Sequence, residues 1–228
     1  MIVTIHQPEH IPWTGYFHKM AAADSYVVLD TVQFTKNNFQ NRNKIYCPNK
    51  GWTWLSVPVD LKGHTNTTIR DIQISTSNPK WRESYWGKIH SNYNKHKYYE
   101  IFKEKIKNIV YSDYQTILEL NLLFINFFRE VLDIDTPIFM SSELEVKGVK
   151  TDLLLNICNK MNATTYLSGP SGKYYLDKEI FSNANISLDF HQYTPPEYSS
   201  PDYTPYMSSL DIIMNCGYGS RDIILGSR

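Results

Sequence analysis

Several things are scarce in this 228-residue chain. It has no net charge: 23 Lys and Arg balance 23 Asp and Glu. Without a whole-chain field, a nonspecific binder of nucleic acid or of an anionic membrane is excluded. It has three cysteines, Cys47, Cys158 and Cys216, too scattered for a CxxC or metal-ligand pair, which points to a reducing compartment. No apolar run nears the ~20 residues a membrane helix needs, and the opening MIVTIHQPEH has no signal-peptide pattern. The expectation is a soluble, cytoplasmic chain without membrane insertion or nucleic-acid partner. Repeats and low-complexity tracts are absent too. What is present is 42% hydrophobic residues, enough for a core, and 14% aromatics, with 17 Tyr, 10 Phe and 5 Trp. Aromatic bodies with polar tips suit core packing and ligand-facing walls alike.

Ile2 to Ile5 reads as a buried first strand. Two prolines keep HQPEHIPW in a loop. Tyr16, Phe17 and Met20 mark one buried helix face, and Tyr26 to Leu29 a second strand closed by Asp30. That is a βαβ unit. Residues 35–51 read as a long polar loop, WTWLSVPV as a strand, and Ile69, Ile72 and Ile74 as another. Residues 81–111 read as helical. Ser112 with Gln115 reads as a capping box for a buried helix over 114–132. Beyond Pro137 come a helix to about Met161, the strand TTYL, the loop SGPSG, a helix to Asn183, the strand ISLDF and a last helix over 208–215. The expected fold is α/β, a Rossmann-like mostly parallel sheet in one domain over 1–228, with a helical insertion at 80–135.

Four stretches could carry chemistry. His6, with Gln7 and Pro8, leaves the first strand where open α/β sheets place ligands. It reads as a general base, or as a buried histidine bonded to backbone. Asp30, at the matching end of the second strand, could orient His6 or simply make a turn. In Asn41-Arg42-Asn43-Lys44, Arg42 offers a fork for carboxylate or phosphate and the amides could read hydroxyls; the plain alternative is a solvated loop. Ser168-Gly169-Pro170-Ser171-Gly172-Lys173 lies between strand and helix, as an anion site or a tight turn. It is not a Walker sequence, and no metal motif is present. Cys158 falls on an apolar helix face and reads as core.

Taken together, these residues resemble the WbqC-like proteins of bacteria. The resemblance runs from HQPEHIPWTGYFHKMAAADSYVVLDTVQFTKNNFQNRNKI through GWTWLSVPV and YLSGPSGKYYL to SSLDIIMNCG, nearly the whole chain. The family's pattern maps onto His6, Gln7, Pro8, Pro12, Gly15, Asp24, Asp30, Gln33, Phe34, Asn41, Arg42 and Asn43. Later it maps onto Ser168, Gly169, Gly172, Tyr175, Leu210 and Asp211, and onto none of the cysteines. The resemblance implies a role in gene clusters for O-antigen and related surface glycans, beside amino-sugar enzymes. A fainter likeness, to the opening of pantothenate synthetases and related nucleotidylyltransferase-like enzymes, stops at the first helix, where His18 has no paired histidine.

The leading expectation is acyl or aminoacyl transfer to the amine of a nucleotide-linked amino sugar in lipopolysaccharide assembly. His6 would be the base and Asp30 its orienting partner. Gln7, Gln33, Asn41, Arg42, Asn43, Ser168, Gly169, Gly172 and Tyr175 would hold substrate. ATP and acyl-CoA both stay open as donors, and homo-oligomerisation stays open. Ester or thioester hydrolysis and noncatalytic sugar binding are the alternatives.

Overall fold

The computed structural model describes residues 1–60, 66–201 and 203–226; the remainder of the expected 1–228 domain lies outside them. The chain divides into two compact units. One comprises 1–7, 15–32 and 134–194, the other 8–14, 33–133 and the residues from 195 onward. Residues 80–133 of the expected helical insertion belong to the second unit.

The first unit is the α/β part. β1 (Ile2–His6), α1 (Thr14–Ala21) and β2 (Ser25–Val28) form the expected βαβ opening. All strands of its five-stranded sheet run parallel, in the order β5-β2-β1-β6-β7. β5 is Ile138–Met140, β6 Thr165–Ser168 and β7 Ser187–Phe190; α5 (Lys150–Lys160) and α6 (Lys178–Asn183) lie between the last three. The fold is thus Rossmann-like, as the alternation of elements implied. Three-residue β5, behind Pro137, is too short to show in sequence. Val3, Ile5 and Val27 pack with Leu154, Ile157, Cys158 and Phe181 in the core. Burial there pushes the Cys158 thiol up to about 12, which leaves it inert.

The order of the strands locates a switch point. From β1 the chain adds β2 on one side, and later β6 and β7 on the other. The crevice between β1 and β6 is therefore the switch point, where open parallel sheets bind ligands at the carboxyl ends.

In the second unit, β3 (Arg42–Cys47) pairs antiparallel with β4 (Gly51–Ser56), so part of the expected polar loop is a strand. Its polarity is one-sided. Asn43 and Ile45 are buried, while Arg42 lies over the Trp54 ring at 4.3 Å and Lys44 over Trp52 at 4.6 Å. The isoleucines at 69, 72 and 74 do not make the expected strand. A helical turn, Ile69–Asp71, stands there, with the Thr68 hydroxyl donating to Asp71 at 2.5 Å. Such local side-chain bonds compete with strand pairing. α2 (Trp81–Tyr93), α3 (Tyr99–Tyr111) and α4 (Ile117–Val131) follow. The capping box of α4 is Thr116 with Glu119; Ser112 instead donates to the Ile109 carbonyl at the end of α3. α7 (Ser209–Cys216) and α8 (Ser220–Leu225) complete the unit. Among the described residues no helix is long and apolar enough to cross a membrane.

A buried polar network fastens the proline-rich loop of this unit. His10 is fully buried, its Nδ1 2.8 Å from Asn121 Oδ1 and its Nε2 2.7 Å from the Tyr85 hydroxyl. The amide oxygen only accepts, so Nδ1 carries the proton and the ring is neutral. The Asn121 amide also donates to the carbonyls of Pro8 (3.1 Å) and Gln40 (2.8 Å). Asn43 donates to those of His10 and Ile11 (3.2 and 3.1 Å). Ile11 needs the support, because its φ of 37° is unfavourable for a β-branched residue.

Two substitutions test this architecture by urea unfolding. Asn121→Leu strands a histidine N–H and two carbonyls, and is expected to cost about 2–4 kcal/mol. Gly172→Ala drives a Cβ into Ser168 Oγ and Leu176 Cδ1, and is expected to cost about 1–3 kcal/mol.

Candidate functional site

The register of the first unit brings its strand ends level. His6 stands opposite Val28, Val28 opposite Met140, and Ser168 opposite Phe190. The residues that leave these ends are His6, Asp30, Ser141, Ser168 and His191, and they share one edge of the sheet.

His6, at the end of the central strand, is half-buried, with Tyr16 edge-on at 4.9 Å. Its Nδ1 lies 3.0 Å from the Gln7 carbonyl. A carbonyl only accepts, so Nδ1 bears the proton and Nε2 the lone pair. Its pKa is lowered to about 3, first by burial, then by the charge of Lys19 and, less, by His191.

Lys19 was not singled out in the sequence. On α1 it shares the inward face of Tyr16 and Met20, is 3% exposed, and its ammonium donates to the Ile5 carbonyl at 3.1 Å. One residue earlier, His18 Nδ1 meets His191 Nε2 at 2.8 Å, with the Tyr193 ring 4.6 Å from His18. Burial lowers the pKa of both histidines, His191 to about 4 with help from His18 and Lys19. Two neutral rings, one donating and one accepting, make this bond. His191 leaves β7 as His6 leaves β1, so the strand-end rule applied to His6 would have found it. A lysine on a short helix gives no such signal.

Asp30 is buried at the end of β2. Its Oδ1 accepts from the Ser141 hydroxyl (2.7 Å) and the Ser142 N–H (3.0 Å), which ties β2 to the chain beyond β5. Orientation of His6 comes from the Gln7 carbonyl. Ser168 is buried at the end of β6. Gly169 opens a helical turn, Pro170–Tyr174, in which the Gly172 N–H donates back to the Gly169 carbonyl at 3.0 Å. Gly172 packs against Ser168, and Tyr175 is 62% exposed.

Gln33, Asn41, Arg42 and Asn43 belong to the second unit. The Gln33 side chain is exposed. Asn41 donates to the Val57 carbonyl at 2.9 Å, and Arg42 to the Asn37 carbonyl at 2.5 Å while it stacks on Trp54. Asn43 holds the Ile11 turn.

These histidines make stability depend on acid. His6, His10 and His191 titrate near 3, 4 and 4 in the fold, against about 6.5 unfolded. Below about pH 6.5 the unfolded chain takes up protons that the fold refuses, so stability is full above that pH and is lost as pH falls toward 4. Each histidine contributes at most about 1.4 kcal/mol per pH unit. Urea midpoints measured from pH 7.5 down to 4.5 are expected to fall, and His191→Gln to flatten the slope.

The sequence pattern of the WbqC-like protein family matches residues 7–223. Uncharacterized protein Rv1507c of Mycobacterium tuberculosis (strain ATCC 25618 / H37Rv) is 30% identical over 226 residues, 97% of this chain and 96% of the relative. No solved structure matches. The chain, with its Rossmann-like sheet and His6-Gln7-Pro8 leaving the central strand, belongs to the WbqC-like protein family.

Proposed function

We propose that the chain transfers an acyl or aminoacyl group to the amine of a nucleotide-linked amino sugar, in assembly of bacterial surface polysaccharide such as the O-antigen of lipopolysaccharide. One observation carries the reading. A neutral histidine, its tautomer fixed, stands beside a buried lysine at the switch point of a parallel sheet.

In the proposed step the sugar amine attacks the acyl carbonyl carbon of a thioester or activated ester. The C–N bond forms, the bond to the leaving sulfur or oxygen breaks, and His6 Nε2 takes the amine proton and returns it to the leaving group. The positive charge of Lys19, felt at His6, favours the developing oxyanion. Burial first, and then the charge of Lys19, hold the His6 pKa near 3, which makes it a weak base; an anionic donor beside Lys19 relieves the second of these and raises its basicity. Asp30 fixes the ends of β2 and β5 through Ser141 and Ser142. Gln7, Ser168, Gly169, Gly172 and Tyr175 border the same edge and are assigned to substrate.

The test incubates the whole chain with a UDP-linked amino sugar and acyl-CoA, and separately with the sugar, an amino acid and ATP, followed by mass spectrometry. The sugar is expected to gain the acyl mass in one of the two. His6→Ala should lower the rate about 100-fold or more while sugar binding persists. An unchanged rate in that variant refutes the role of His6. Free acid formed equally well without the amine means hydrolysis, and tight binding without a product means a sugar-binding protein.

A further inference from the structure

The closing segment SSLDIIMNCG takes no part in the chemistry above. Within it, on α7 of the second unit, Asp211 is 2% exposed. Its carboxylate accepts from the hydroxyls of Tyr198 (2.6 Å) and Tyr93 (3.1 Å). Burial raises its pKa, while the two phenols and His96 hold it down. His96 is set edge-on to Tyr46 at 5.0 Å and Tyr93 at 4.9 Å. Both of its ring nitrogens are buried without a hydrogen-bond partner. The Ser200 hydroxyl is buried and unpartnered as well. Native proteins leave few such groups, and each calls for a reason.

His96 and Ser200 both line one cavity of about 610 Å3, within the ~300–1,000 Å3 range of small-molecule sites. Lys95 and Lys97 give its wall positive charge, Asn92 and Asn94 give it amides, and no carboxylate lines it among the described residues. Tyr46 and Pro48 supply an apolar side. A polymer would call for a field across the surface, which a chain of zero net charge lacks. A small anion with hydroxyls fits the same wall.

We infer that this cavity binds a phosphorylated sugar, its phosphate on Lys95 and Lys97, its hydroxyls on Asn92 and Asn94, and its apolar face toward Tyr46. The site lies wholly in the second unit and does not depend on the chemistry assigned to His6. Asp211 sits behind it, holding Tyr93 and Tyr198 in place.

Calorimetric titration of the whole chain with glucosamine 6-phosphate, glucose and inorganic phosphate tests this. Saturable binding of glucosamine 6-phosphate is expected, tighter than phosphate, with none of glucose. Lys95 and Lys97 are exposed, so the double variant Lys95→Ala, Lys97→Ala should fold normally and bind about tenfold or more weakly. No saturable binding, or binding unchanged in the double lysine variant, overturns the site. Phosphate binding as tightly as the sugar phosphate removes the sugar from the proposal. Activity at His6 can fail without touching any of these outcomes.

Discussion

A neutral imidazole can be taken out of water at a small cost, whereas an imidazolium cannot. The chain uses that difference repeatedly. His10 is buried whole between an amide oxygen and a phenol. His18 and His191 share one hydrogen bond. His6 turns its Nδ1 to the Gln7 carbonyl. For His6 and His10 the hydrogen-bond partner fixes the tautomer, and in each case burial keeps the ring uncharged at neutral pH. Lys19, placed beside His6 and His191, reinforces the same state by repulsion.

The position of β1 turns this electrostatic arrangement into a site. Because β1 is central, its end is flanked by β2 on one side and β6 on the other, and the connections diverge there. His6 is half-buried at the carboxyl end of this central strand, where open parallel sheets bind ligands. Asp30, bonded to Ser141 and Ser142, closes the far side of the same edge.

Local patterns made much of this legible. The βαβ opening rests on short-range periodicity and two prolines, and His6 was found by its place at a strand end. β3 was hidden because Asn43 and Lys44 read as loop residues; its strand character comes from pairing with β4 and from tryptophans that cover its cations. β5 is defined by β2 alone. Lys19 could not be read, since nothing local separates a buried lysine from one that reaches solvent. The aromatic excess has a plainer use than the composition suggested. Tyr85, Tyr93 and Tyr198 spend their hydroxyls on a buried histidine and a buried aspartate.

The chain passes between its two units five times, at 7/8, 14/15, 32/33, 133/134 and 194/195. No single cut therefore releases either unit intact. During synthesis the sheet must wait for β6 before β1 gains its second neighbour, and for β7 to be complete, while the helical unit must wait for α7. Folding of both halves is thus deferred until nearly the whole polypeptide has left the ribosome, and a truncated chain exposes two unfinished cores at once.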